Sequence, residues 1–506
     1  MNLITNRFGY KRWLCETLAT RERIRFRTKI ILALSIFAIS FCVKSLQAVD
    51  LEPAMHTPEQ PGVRMSQDFD SRALSILAGH GVLMPVVRDP SDTELLSHAP
   101  AYSIFLSSVY ALSGRNYFAV QLIQNLINSI SPVLIFLIAG NLLSWRVGVA
   151  AGLISALSHH LSYYSNLILS DSLCALPILI AVYILVRARL QGRALWLYAL
   201  AGVMIGLSAW IRPNPMLLGL FSGVLLLVIF GLRTRVILSA TILTFVSILT
   251  IVPITIRNYA IYAAFVPIQI GVGLNLWEGL GDASGGRFGA LTDDEVILQE
   301  VAMYDDSRYA ESWASPDGIM RDRARVRRSL DIIAEHPLWY LGSMFRRMGW
   351  MIKESADAPL VFRSTDTKLK EALSLTRAQT QSKRRLMQDS DSEAEKIDRS
   401  ALVIGQSISW LRPPARALQR VSKETGLVLT LTGLIILIIG IPRRALFVAL
   451  VPLYYFIFQS VMHTEFRYTL PMRYFLFVFA SVGWTVLLTL VTKGLRAVLL
   501  KLRTSK

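Results

Sequence analysis

Charged residues are scarce in this chain. Asp, Glu, Lys and Arg make up 17% of its 506 residues, 53% are hydrophobic and the mean hydropathy is +0.46. That shortage excludes the string of soluble domains that length alone would allow. Apolar residues gather instead into runs near the ~20 residues needed to cross a hydrocarbon core. Backbone amides cannot stay unpaired in lipid, so such runs must be helices. Period-2 alternation is lacking, which excludes an outer-membrane barrel. Acidic residues are outnumbered 35 to 53 by Lys and Arg, giving a net charge of +18. In a soluble protein that excess would point to nucleic acid. Here it reads as topological, facing cytoplasm and lipid headgroups, and no nucleic-acid partner is expected. Cysteine is rare too: Cys15, Cys42 and Cys174 form neither a spaced metal motif nor a disulfide framework. No repeat marks an inverted-repeat transporter. No small-x-small cleavage site follows the first apolar run, so a retained signal anchor is expected.

The expected fold class is an all-α polytopic membrane protein. The runs lie at about Ile30–Val49, Phe118–Leu143, Val147–Leu157, Ser172–Val186, Trp196–Ile211, Met216–Leu232, Val236–Ile256, Gly426–Ile441, Ala445–Val461 and Leu470–Val491. The run at Val147 is short and should continue irregularly through "SHHLSYYSN". Arg21, Arg23, Arg25, Arg27 and Lys29 place the N-terminus in the cytoplasm. With ten crossings, Arg187/Arg189/Arg193, Arg233/Arg235, Arg443/Arg444 and the basic tail all fall on that same side. The organisation is then a basic cytoplasmic segment 1–29, a membrane core 30–256 with a first outer loop 50–97, a large extracytoplasmic region 257–425, further spans 426–492 and a cytoplasmic tail 493–506. "APAYSIFLSSVYALSG", Ala99–Gly114, is expected as a juxtamembrane or re-entrant helix, and His336–Glu354 as a helix in the interface. Leu369–Ser400 reads as a solvated helical hairpin or partly ordered loop.

Ionisable residues are nearly absent from the centres of these runs, where one costs about 2.5–3.5 kcal/mol on translocon scales. A proton- or ion-coupled transporter would accept that cost near the midplane. Polar residues collect instead at the outer ends: Asp68, Asp70, His98, Asp171, Arg212, Arg257, Glu465 and Arg467. A lipid-linked substrate would present its headgroup at that depth. Asp68-Phe69-Asp70 precedes "SRALSILAGHG", whose apolar residues read as one helical face stopped by Gly79 and Gly81. Either Asp could cap that helix. A general base needs a carboxylate held near an acceptor hydroxyl in a partly dry site, and Asp68, placed before the expected helix start near Asp70, suits that better. His98 is open to a structural role or a substrate contact. Asp171 could cap a helix or line a cleft with Tyr163 and Tyr164. Arg212, beside Pro213 and Pro215, could snorkel or pair with phosphate.

Several segments together resemble the GT-C membrane glycosyltransferases, in particular the superfamily of protein O-mannosyltransferases and lipid A aminoarabinose transferases. They are "DFDSRALSILAGHGVL", "HAPAYSIFLSSVYALSG", "YYSNLILSDSL", "GLSAWIRPNPMLL", "VPITIRNYAIYAAFVPIQIGVGLNLWEGLGDASGG" and "HTEFRYTLPMRYFLFVFASVG", in family order over about residues 30 to 490. The resemblance implies a GT-C bundle of about ten or more transmembrane helices, multi-pass in the inner (plasma) membrane, with its site on the periplasmic face. It implies transfer of a sugar, with inversion, from a polyprenyl-phosphate donor to a glycolipid, polysaccharide or protein. Carried over, Asp68 is the general base with Asp70 as alternate, and Asp171 supports the same cleft. Arg212 and Arg467 would stabilise the departing phosphate, with His98, Arg257 and Tyr468 as further substrate contacts. The sequence departs from the pattern at Met65, where an acid is usual three residues before Asp68. It departs again at Ser97-His98, where the aminoarabinose branch has an acid and a lysine. A divalent metal therefore stays open. A lipid-linked sugar flippase and an oligosaccharide polymerase or ligase are the alternatives.

Overall fold

The computed structural model describes residues 24–52, 55, 61–81, 91–190, 194–292, 294–353, 360 and 399–504. Within them the secondary structure is helical, with no strand. The membrane part begins with α1 (Phe26–Leu51). After α2 (Pro61–Leu77) and α3 (Pro100–Ser113) come α4 (Tyr117–Asn128), α5 (Ile130–Leu142), α6 (Trp145–Leu157), the short α7 (His159–Tyr164), α8 (Ala175–Leu190), α9 (Leu195–Ile211), α10 (Leu218–Phe230) and α11 (Thr234–Tyr262). The region that follows α11, outer in the sense of lying outside the spans, carries α12 (Val272–Ser284), α13 (Asp294–Tyr304), α14 (Gly318–Glu335) and α15 (Pro337–Ile352). α16 (Arg399–Ile408), α17 (Arg412–Gly440), α18 (Pro442–Val448), α19 (Leu450–Gln459) and α20 (Leu470–Thr504) complete the chain.

Among the described residues five helical stretches are long and apolar enough to cross a membrane: Phe26–Leu51, Tyr117–Leu142, Thr234–Tyr262, Ser409–Gly440 and Phe466–Lys493. α6, α9, α10 and α19 are shorter apolar helices, and α8 ends in Arg187 and Arg189. Each expected run therefore coincides with a helix. α6 stops at Ser158, whose side chain caps α7, and the chain is irregular from there to α8. Large apolar side chains such as Val228, Phe245 and Ile435 point outward, as lipid-facing residues do.

Small residues let the spans approach closely, the usual currency of helix association in lipid. Gly433 on α17 lies against the carbonyl of Phe479 on α20. In return, a Cβ on Gly483 would come 2.7 Å from the carbonyl of Leu429. Either glycine replaced by a larger residue would force these two helices apart.

Two expectations change. The helix after the first run starts at Pro61, not near Asp70, so Asp68 and Asp70 sit in mid-helix and neither caps it. And a cation does lie inside the first span: Lys44 is fully buried, its Nζ donating to Ser40 Oγ at 2.5 Å. It sits in the last third of α1, beside a polar core where Asn166 Nδ2 donates to the Lys44 carbonyl at 3.0 Å. The stretch expected as an interface helix forms α15, with Leu338, Phe345 and Trp350 exposed. The 369–398 part of the expected helical hairpin falls outside the described residues.

Candidate active site

A cavity of about 1420 Å³ opens where α2, the segment before α3, the ends of α8 and α9 and the α19–α20 connection meet the outer region. Its lining includes Asp68, His98, Asp171, Arg212, Arg467 and Tyr468. Those residues are far apart in sequence, and the fold brings them together: Asp68 lies on the cavity face of α2, and the others lie at helix ends or turns.

The acidic triplet divides. On a helix, residues i and i+2 do not share a face, and here the two carboxylates point apart. Asp68 faces the cavity. Burial on that side and the charge of Glu94 raise its pKa, with Arg72 pulling the other way. Asp70 points into the protein and is 4% exposed. Its Oδ1 accepts from Tyr110 at 2.6 Å, and Oδ2 accepts from Arg115 at 2.5 Å and from Tyr117 at 3.4 Å. Asp70 therefore ties α2 to α3 and α4. Between them Phe69 packs edge-on to His98 and Tyr102, at 4.5 and 4.9 Å.

His98 turns its Nδ1 to Ser97 Oγ at 2.8 Å. Burial and the cations Arg72, Arg212 and Arg467 push its pKa well below the ordinary value, so its ring is neutral in the cleft.

In the same lining Arg212 ends α9 in an extended conformation. Its Nη1 lies 2.6 Å from Asp171 Oδ1, and its guanidinium stacks 4.4 Å from the centre of the Tyr468 ring. Asp171 is 1% exposed. It precedes α8 by four residues, and its carboxylate is spent on Arg212 rather than on a cap. Arg467 holds Glu465 through two bonds of 2.6 Å and lies 5.2 Å from the same tyrosine ring. Tyr468 donates to Glu465 Oε1 at 3.1 Å. Two guanidinium groups thus flank one ring at the cavity edge, each oriented by a carboxylate.

Arg257 does not join them. It is 4% exposed in α11, absent from the cavity lining, and its guanidinium donates to Asn258 Oδ1 at 2.9 and 2.6 Å. The sequence shows only that it ends a span; a helix end points its side chains in several directions.

Several lining groups escaped sequence reading. Glu465 was legible as a charge at a helix end but not as the holder of Arg467. Behind it, His463 Nδ1 bonds Asp282, and Nε2 lies 3.7 Å from Glu465. Burial opposes charging this ring, but Asp282 and Glu465 outweigh it and raise its pKa to about 10. Burial likewise opposes ionising Glu465, yet His463 and Arg467 hold its pKa down to about 2. Tyr455 lines the cavity with a buried hydroxyl that has no hydrogen-bond partner among the described residues. Trp313 reaches in from the outer region, its ring centre 6.4 Å from that of His98. No local pattern marks either aromatic, since both are recruited by tertiary packing. Among the described residues, no three His, Cys, Asp or Glu side chains are grouped to hold a metal ion.

Residues 97–257, under a third of the chain, match the family model described as dolichyl-phosphate-mannose-protein mannosyltransferase. No curated protein matches. A solved structure, ArnT from Cupriavidus metallidurans bound to undecaprenyl phosphate, aligns over 91% of this chain and 77% of its own, with 12% identity and a TM-score of 0.32. That similarity is too low to carry an argument. The family match covers the stretch holding His98, Asp171, Arg212 and Arg257, and it supports the GT-C superfamily that the sequence motifs resemble.

Proposed function

We propose that the chain is a membrane glycosyltransferase that moves a sugar from a polyprenyl-phosphate donor to an acceptor hydroxyl at the cavity. The observation that carries this reading is one cavity lined both by Asp68, a carboxylate of raised pKa, and by the pair of carboxylate-oriented arginines around Tyr468. The family match supports the donor class.

In this reading the acceptor oxygen attacks the anomeric carbon as the bond to the phosphate oxygen breaks. Asp68 takes the hydroxyl proton, and the lipid phosphate leaves with the bonding electrons. A single displacement of this kind inverts the anomeric centre. Arg212 and Arg467 receive the growing negative charge. Guanidinium groups suit a phosphate because their donors are planar and permanently charged, and groups already fixed in place need no reorganisation as the charge develops. Asp171 and Glu465 are positioning residues, since each fixes an arginine and neither is free to accept the proton. The Tyr455 hydroxyl is a further donor for the phosphate or sugar. Neutral His98 would contact substrate as a hydrogen-bond partner, without adding charge.

The test is transfer by purified protein in bilayers, supplied with polyprenyl-phosphate sugars, for wild type and Asp68→Asn. Removal of a general base should lower the rate by about 10²–10⁴-fold. Full activity in the variant would sink the mechanism. Lipid-linked sugar crossing the bilayer with no glycosylated product would support a flippase instead.

A further inference from the structure

The turn that carries Arg467 and Tyr468 has a second side. There Arg473 is 5% exposed, its guanidinium carbon 3.8 Å from the centre of the Phe466 ring, and its Nη2 donates to the Lys353 carbonyl at 2.7 Å. Phe466 in turn stacks on His160 and Tyr164, at 4.4 and 5.6 Å, so a wall of rings separates this side from the main cavity. Beyond that wall lies a mostly apolar hollow of about 200 Å³, lined by Leu157 of α6, Leu429 of α17, and Leu476 and Trp484 of α20, with Arg473, Ser422, Thr425 and Thr430 as polar members.

Its surroundings are cationic. His159 is 2% exposed, and its Nε2 has no hydrogen-bond partner among the described residues. The charged groups that bear on this ring are Lys423 and Arg473. Glu424, the neighbouring acid, is exposed; Lys423 and His159, like it, flank the hollow rather than line it. The hollow also lies at helix ends: α6 and α15 finish here, and α20 begins here. At that depth a lipid presents its phosphate, and basic side chains favour anionic headgroups.

We propose that this hollow binds an anionic glycerophospholipid. One acyl chain enters between α17 and α20, and the phosphate lies against Arg473 and Lys423 within reach of His159 Nε2. The small volume argues for the start of an unbranched chain. An isoprenoid carries a methyl branch at every repeat and needs a wider slot. The site is separate from the main cavity and does not depend on the reaction assigned to it.

Trp484 reports on the hollow directly. Full-length protein is placed in bilayers of phosphatidylcholine containing dibrominated phosphatidylglycerol, or dibrominated phosphatidylcholine at equal bromine content. The Trp484 signal is wild-type fluorescence minus that of Trp484→Phe. Quenching of that signal should favour the phosphatidylglycerol on the order of fivefold, and Lys423→Ala or Arg473→Gln should bring the two lipids towards parity. Lys423 is only half-buried, so its variant keeps the test sound if Arg473→Gln folds poorly. Equal quenching in the wild type would overturn the proposal, as would a preference that survives Lys423→Ala. Relief of quenching by undecaprenyl phosphate, but not by excess unbrominated phosphatidylglycerol, would overturn the choice of lipid.

Discussion

Two groups of arginines and carboxylates in this molecule look alike on paper and are built for opposite ends. In the outer region Glu300 accepts from Arg321 at 2.7 and 2.9 Å and from Arg325 at 2.6 and 2.7 Å. All three side chains are 1–2% exposed. The two arginines spend their remaining donors on carbonyls of the 312–316 turn, and Arg321 also covers Tyr309. Every donor faces protein. At the cavity, Arg212 and Arg467 are also held by carboxylates, yet their side chains keep 18% and 14% exposure toward open space. The same chemistry serves as a scaffold where it is enclosed on all sides. It becomes a candidate binding surface where one side is left to a large void.

The comparison breaks most visibly by removing one cation from each group. Arg325→Gln leaves Glu300 buried with a single partner, and breaking such a network costs about 3–5 kcal/mol. Thermal unfolding should shift down sharply, while the fraction that remains folded turns over at the wild-type rate. Arg212→Gln should do the reverse. Loss of one preorganised donor to a developing anion costs about 10²–10³ in kcat. Asp171 is then left without its cation, so a smaller fall in stability is expected alongside. Should Arg325→Gln silence the folded enzyme while Arg212→Gln leaves kcat unchanged, the division between scaffold and site is wrong.

That division was only half legible in the sequence. The helices under the ten runs and the helix α15 followed from composition and spacing, because lipid imposes a helix wherever apolar residues persist. The break after α6 was readable in its polar residues. The polar ends of the runs likewise gave Asp68, His98, Asp171, Arg212 and Arg467, and the family resemblance added Tyr468. What could not be read is direction. Asp68 and Asp70 differ only in which side of α2 they occupy, and that depends on a helix that starts at Pro61, nine residues before Asp70. Arg257 and Arg212 both end apolar helices; one turns inward to Asn258 and the other into the cavity. Trp313 and Tyr455 carry no local signal at all.

A smaller effect sharpens how the outer region is fastened to the cavity wall. His463 sits between Asp282 on α12 and Glu465, and its backbone N–H donates to the Asn275 carbonyl at 2.7 Å. Its folded pKa, about 10, is raised above the ordinary 6.5. A raised pKa contributes stability in full below pH 6.5; that contribution declines as pH rises and is lost through about pH 10. Glu465, with its pKa near 2, stays ionised throughout that window. His463→Gln should therefore lower Tm at pH 6 and converge on the wild type as pH approaches 10. Parallel Tm curves for the two proteins across that range would show that the imidazolium does not fasten α12.

The gentlest test leaves both arginine groups intact and adjusts only the Asp68 carboxylate in the cavity. Glu94 raises the Asp68 pKa through its charge and also accepts from Arg72 and Ser312. Glu94→Gln removes the charge and keeps one acceptor oxygen, which can serve Arg72, while Ser312 Oγ can accept from the new amide. A base works in its ionised form, so with Asp68 as the proposed base the acid limb of kcat/KM marks its pKa in the free protein. With Glu94 neutral, that pKa falls and the acid limb moves to lower pH, while the plateau rate changes little. A limb that stays in place means the titrating base is a different group. A limb that moves to higher pH would mean that Glu94 acts on Asp68 mainly by anchoring Arg72, whose positive charge otherwise favours the ionised carboxylate.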